Sequence, residues 1–348
     1  MFGTTFLAPP TYCPLVDLGP SNARQWLYDV AAGVQHLDDT YGPELPLRSA
    51  AWLTFKESRA SFAIEHEADN DDRVRRFAAA IGRFSGRMQD PLTPDNLLTL
   101  QRSVLGDAAT RRGIRQSPIF VGESTFRSQI VHFVAPDPAY VPGMLEALRE
   151  LEVRTRGANT VVRTAARSFA FVYLHPMTDG NGRIRRFLIN HLLAVDGAVP
   201  PNIIVPVSAT IAGSLRARAD YDRVLEVFSK PLMNRYTNDY RFGERRTCPD
   251  GVATDFECLA GEDAQHAWRY PDLTRHARYL SDILQKTVGH EMAQEAHSLR
   301  THGEARLAIK QVAEMPDPDA DRVRRLDAVV QLHAVRMDVG VIAAGGAS

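Results

Sequence analysis

Cysteine is scarce in this sequence. Its 348 residues contain three, Cys13, Cys248 and Cys258, and none forms a CxxC pair. An odd, widely spaced set excludes a disulfide scaffold and fits a reducing compartment. Cys248 and Cys258 with nearby His266 match no zinc-ligand spacing. Long hydrophobic runs are missing too: no uninterrupted apolar stretch approaches the roughly 18 residues of a membrane span. The N-terminus, MFGTTFLAPPTYCPL, has no basic segment leading into an apolar one, which reads against a secretory leader. The expectation is a soluble, cytoplasmic protein with no membrane partner. Net charge is nearly absent, with 41 Lys+Arg against 42 Asp+Glu. That balance excludes a polyanion binder working by bulk charge, so nucleic acid is not an expected partner. A hydrophobic content of 44% excludes disorder.

What is present is mostly helical periodicity, with no internal repeat or low-complexity tract. Residues 1–20 are rich in Pro and Gly and read as an irregular lead-in. Ser21 and Asn22 are candidate caps for a helix carrying Trp26, Leu27, Val30 and Val34. Further helices are expected at Leu47–Glu67 and Arg73–Met88, and after Thr93-Pro94, where proline sits at the first helical position. Between Gly113 and Pro138 two β-type runs, Ile119–Val121 and Ile130–Val134, predict a β-hairpin with a longer loop. Helices are expected again at Val141–Val153, Ala158–Leu174, Gly182–Val195 and Ser214–Phe228. Beyond Tyr240 the segment RFGERRTCPDGVATDFECLAGED reads as loop. Helices then follow at Leu273–Lys286, His290–Leu299, Glu304–Glu314 and Ala320–Val335. The shift in composition beyond Tyr240 divides residues 1–240 from a helical C-terminal region over 241–348 whose role the sequence does not name.

One segment carries chemistry: FVYLHPMTDGNGRIRRFLIN, from Phe171 to Asn190. Pro176 disfavours helix at His175, so the first helix should end there. Two glycines allow positive φ and close approach to a ligand. The helix that follows offers free N–H groups and a partial positive charge, a site for phosphate. Arg183 and Arg186, three apart, share its face and can add charge-assisted bonds. Asp179 offers a hard oxygen for Mg²⁺, and His175 can accept a proton near pH 7. NG and DG dipeptides also signal hairpin turns, but helical periodicity on both sides argues against that here. A calcium loop fails because Met177 and Leu188 fall where carboxylates are required. A P-loop fails because no GK[ST] follows the glycines.

The string HPMTDGNGRIRR resembles the Fic family signature HPFx[DE]GNGRxxR and departs from it only at Met177, an apolar packing position. The resemblance covers roughly Leu47 to Tyr240 and implies one domain over residues 1–240 with a core at about 92–235. It implies a mainly α Fic (Fido) fold with a small β-hairpin flap, here followed by a helical C-terminal region. The activity it implies is transfer of AMP from Mg-ATP to a Ser, Thr or Tyr hydroxyl of a target protein. In that reading His175 deprotonates the hydroxyl and Asp179 holds Mg²⁺. Gly180, Asn181 and Gly182 cradle the α- and β-phosphates, Arg183 binds on the β-phosphate side, and Arg186 takes the γ-phosphate. Family members acting as kinases replace the glycines, so Gly180 and Gly182 favour AMP transfer. The flap, with Ile119, Phe120, Val121, Gly122, His132 and Phe133, would dock the target by strand addition; an ordinary edge hairpin is the rival reading. Self-modification is expected, and a homo-oligomer stays open. Tyr221 could face the adenine or belong to the core.

Ser61-Phe62-Ala63-Ile64-Glu65-His66 resembles the family's inhibitory motif [ST]xxxE[GN]. Ser61 and Glu65 are i and i+4 on one helical face. The resemblance implies that Glu65 pairs with Arg186 and blocks the γ-phosphate site, the class with an N-terminal inhibitory helix. His66 stands where Gly or Asn is usual, which predicts that the helix continues past Glu65. The other class of function is a de-AMPylating or non-catalytic, nucleotide-binding regulatory protein on the same fold.

Overall fold

The computed structural model describes residues 11–19, 25–42, 44–67, 70–106, 113–124, 129–312, 316–318 and 321. Two antiparallel helices form its centre. α6 (Thr160–Leu174) is capped by Asn159, whose side chain accepts the Val162 N–H, and α7 is Asn181–Val195. Nearly every residue of both is buried, as expected of helices that are apolar on more than one side. Their buried arginines find carboxylates or rings: Arg163 meets Asp196, Arg167 meets Glu152, and Arg185 lies 3.9 Å from the Phe169 ring centre.

Around this pair pack α1 (Val30–Tyr41), α2 (Glu44–Ile64), α3 (Asp71–Phe84), α4 (Pro94–Leu105) and α5 (Val141–Arg154). Thr93 caps α4, with Pro94 at its first position, as the sequence predicts. α1 starts at Val30, capped by Asp29, because the Tyr28 N–H donates to Ser281 Oγ and is tied outside the helix. Ser21 and Asn22 lie outside the described residues. The described part of the lead-in is anchored: Tyr12 is buried and its hydroxyl donates to the Ala170 carbonyl at 2.8 Å.

The expected hairpin is present as β1 (Phe120–Ser124) and β2 (Gln129–Val134), antiparallel, with a register shift between Val121 and Gly122. After α7 come a short α8 (Val207–Ala212), which periodicity missed, and α9 (Leu215–Arg235), which runs past Phe228 through Pro231.

The segment after Tyr240 is not loop. It forms a second antiparallel hairpin, β3 (Tyr240–Thr247) and β4 (Ala253–Cys258). Its alternation is hidden because most of β3 is solvent-facing. Phe242 and Phe256 turn inward and pack on Phe120 of the first hairpin, with ring centres 5.4 Å and 4.9 Å away, and Tyr240 packs on Phe242 and Phe256. α10 (Gln265–Arg269) and α11 (Thr274–Lys286) follow. A π-turn (Thr287–Met292) then leads directly into α12 (Ala293–Val312), so the two short helices expected over 290–314 are one. The helix expected at Ala320–Val335 falls outside the described residues except Asp321. α11 packs against α6: buried Tyr173 Oη lies 2.6 Å from His276 Nε2, and both belong to the core that the earlier helices share.

α2 ends at Ile64, not beyond Glu65 as expected. The Glu65 and Glu67 N–H groups both donate to the Phe62 carbonyl, and His66 takes a left-handed φ of 59°. Gly or Asn enters that region at low cost; His is a less usual occupant but an accessible one.

Candidate active site

α6 stops at His175, which adopts φ 48°, ψ 59° and donates its N–H to the Phe171 carbonyl as a left-handed cap. Pro176 carries no N–H with which to continue the helix. Arg115 fixes the stop. Its buried guanidinium donates to the carbonyls of His175 (2.7 Å), Ser117 (3.0 Å), Pro136 (2.6 Å) and Leu174 (3.4 Å), and its N–H reaches the Pro176 carbonyl at 2.9 Å. One side chain therefore ties the His175 turn to both ends of the first hairpin.

Asn181 closes the loop that follows. Its Oδ1 accepts the Met177 N–H at 3.1 Å, and its Nδ2 donates to the Met177 carbonyl at 2.7 Å. Met177 is fully buried, filling the apolar position predicted for it. The Asn181 side chain is thus committed to stapling the loop, which leaves its backbone N–H as the group it could offer an anion. Gly180 caps α7 at φ 89°, and the first intrahelical bond is from the Ile184 N–H to the Gly180 carbonyl. The N–H groups of the first turn therefore stand outside the helical ladder. A Cβ at Gly182 would meet Glu65 Oε1, so a side chain there would force the Glu65 carboxylate to move.

His175 Nδ1 lies 3.3 Å from the Val172 carbonyl. A proton on Nδ1 donates to that oxygen and leaves the Nε2 lone pair available. Burial and the charge of Arg115 push the ring's pKa down to about 4, so the imidazole is neutral at physiological pH.

Arg183 and Arg186 share one face of α7 and are buried, with side chains 2% and 1% exposed. Arg186 donates Nε to Ser61 Oγ (2.7 Å) and Nη2 to the Ser61 carbonyl (3.2 Å) and to Glu65 Oε1 (2.5 Å). Burial alone would raise the Glu65 carboxyl; Arg186, with Arg183, outweighs it and holds the group below its ordinary value. Arg183 Nη1 bonds Glu67 Oε2 at 2.6 Å, its Nη2 lies 3.3 Å from Asp179 Oδ1, and its guanidinium stacks 4.7 Å from the Phe62 ring centre. Behind Ser61, one turn back, fully buried Glu57 accepts from the Ser208 N–H and hydroxyl at 2.7 and 2.6 Å, pinning α2 to α8.

Asp179 is half-exposed at the loop mouth, its Oδ1 also accepting the Gly180 N–H at 2.6 Å. Among the described residues no three His, Cys, Asp or Glu gather as a metal cage. One accessible carboxylate beside an anion nest fits Mg²⁺, which takes few protein oxygens and completes its shell with phosphate and water.

The structure brings together Ser61, Glu65, His175, Asp179, Gly180, Asn181, Gly182, Arg183 and Arg186. In the hairpin, Phe133 is core against Tyr173, with ring centres 5.7 Å apart, while Val121, Gly122 and His132 are exposed. Ile119 precedes β1, and its carbonyl accepts the Ala135 N–H. Tyr221 is buried and accepts from Arg185 at 3.0 Å, so it belongs to the core. Sequence reasoning did not single out Arg115 or Glu67. Nothing in spacing marks an arginine that bonds only to carbonyls, and Glu67 would leave the Glu65 face on a continuing helix.

Fold and loop bring the first turn of α7, a neutral imidazole and a carboxylate together at one helix N-terminus. Residues 91–193 of the chain match the model of the Fic/DOC family. Two relatives, each named protein adenylyltransferase fic-1, are similar to it: that of Caenorhabditis elegans (30% identical over 145 residues) and that of Caenorhabditis briggsae (31% over 140). These alignments cover 40% and 38% of this chain but only 24% and 23% of those proteins, so the chain spans about a quarter of their length. The fold is similar to a Fic family protein from Desulfovibrio desulfuricans (TM-score 0.55, 20% identity, 82% of this chain and 78% of that one). It is also similar to a Fic domain containing signaling protein from Bacteroides thetaiotaomicron (TM-score 0.50, 16% identity, 78% and 98%).

Proposed function

We infer that this protein is an adenylyltransferase that transfers AMP from Mg-ATP to a hydroxyl of a target protein and is held back by its own Glu65. The carrying observation is the neutral, left-handed-capped His175 beside the open first turn of α7. The target hydroxyl oxygen attacks the α-phosphorus, and its proton passes to His175 Nε2. The bond from the α-phosphorus to the bridging oxygen breaks, and pyrophosphate leaves. First-turn N–H groups, Arg183 and Arg186 offset charge on the phosphates, so catalysis rests on positioning and electrostatics. Asp179 would hold Mg²⁺, which shields the polyphosphate. The exposed hairpin edge at Val121 and Gly122 would align the target strand. The Glu65–Arg186 pair takes the guanidinium that the γ-phosphate needs, and carboxylate and phosphate compete for one fork.

The test is incorporation of α-labelled ATP, with the protein as its own acceptor and with lysate. Glu65→Gly raises incorporation, and His175→Ala abolishes it in either background. Incorporation that survives His175→Ala sinks the reading.

A further inference from the structure

The turn after α2 carries two carboxylates, not one. With His66 left-handed, Glu65 and Glu67 both reach α7, Glu65 to Arg186 and Glu67 to Arg183. On an uninterrupted helix, residues two apart diverge by about 200° and could not do this. The Glu67 contact is a charge-assisted bond of 2.6 Å to a guanidinium that is 2% exposed. The same Glu67 oxygen accepts from Arg73 Nη1 at 3.0 Å, which tethers it to α3. Arg183 therefore spends its outward donors on Glu67 and Asp179, just where the proposed function requires them for phosphate.

We propose that Glu67 is a second carboxylate restraint, acting on Arg183 as Glu65 acts on Arg186. This rests on the nucleotide reading of the loop. The two restraints differ in the phosphate they deny: Glu67 opposes the β-phosphate and Glu65 the γ-phosphate. Release of Glu65 alone leaves the site half closed. Glu67 is more than a third exposed, so a polyphosphate can displace it without unfolding the turn.

Calorimetric titration with AMP, ADP and ATP, each with Mg²⁺, separates the two. The proteins are wild type, Glu65→Gln, Glu67→Gln and the double variant, each checked by thermal melting. Glu67→Gln tightens ADP and ATP by about three- to tenfold and leaves AMP unchanged. Glu65→Gln tightens ATP alone, and the double variant compounds both gains for ATP. If Glu67→Gln leaves ADP and ATP unchanged, or weakens them, Glu67 is only a support for Arg183 and the proposal is overturned. If no protein, including the double variant, binds any of the three nucleotides, the nucleotide reading itself falls and takes this proposal with it.

Discussion

Replacing Glu65 with glutamine removes a charge while keeping the side chain's shape, and the structure sets the size of the effect. Arg186 is 1% exposed and loses an ionic partner at 2.5 Å, but it keeps Ser61 Oγ at 2.7 Å and the Ser61 carbonyl at 3.2 Å. Hydrogen bonds to charged groups contribute about 1.5–3 kcal/mol. Glu65 is a third exposed, so solvent screening lowers this to about 1–2 kcal/mol. Without nucleotide, Glu65→Gln should therefore melt about 2–3 °C below wild type. With saturating Mg-ATP the γ-phosphate replaces the lost carboxylate, and affinity gains by the same energy, about 5- to 30-fold. The melting deficit then closes, and AMP, which has no γ-phosphate, does not close it. Differential scanning fluorimetry with and without each nucleotide reads both halves. A deficit that persists at saturating ATP, with unchanged ATP affinity, refutes competition between Glu65 and phosphate.

The depressed pKa of His175, about 4, predicts that incorporation in the Glu65→Gly background shows no inflection near pH 6.5, the ordinary histidine value; an acid limb there would mean a different base. By the same sign, this group's contribution to stability is full above pH 6.5 and is lost as pH falls towards 4, so an acid-unfolding profile should shift in His175→Ala. Arg115→Met strands buried carbonyls and should cost about 2–4 kcal/mol in chemical denaturation. It should lower the rate of incorporation while ATP affinity holds, and a matched loss of both would make Arg115 a general support only. Phe242→Ala removes a ring that packs on Phe120 and should speed amide exchange at Phe120–Gly122; unchanged exchange would show that the second hairpin does not brace the first.

The candidate catalytic loop was legible because its chemistry is local: a proline, two glycines and two arginines at helical spacing define it within a dozen residues. The helix start at Thr93-Pro94 and the β-type run Ile130–Val134 were legible for the same reason. What escaped depends on distant packing. The β3–β4 hairpin buries only a few aromatic side chains, so its outward charges masked its period. The turn at His66 went against that residue's ordinary preference. Arg115 was invisible because its partners are backbone carbonyls from three separate stretches, which no side-chain pattern announces.

The grip of the C-terminal segment on the catalytic helix bears on how the molecule could be divided. Tyr173, two residues before His175, meets His276 from α11, while Trp268 Nε1 donates to the Val134 carbonyl at 3.1 Å and closes the base of the first hairpin. A fragment ending near Tyr240 would keep every group of the proposed nucleotide site, yet it would bare the back of α6 and unfasten the hairpin's root. The segment matching the family profile is thus chemically self-contained but mechanically dependent. Its reactive parts fit in a short stretch of chain, and their rigidity is borrowed from residues about a hundred positions away.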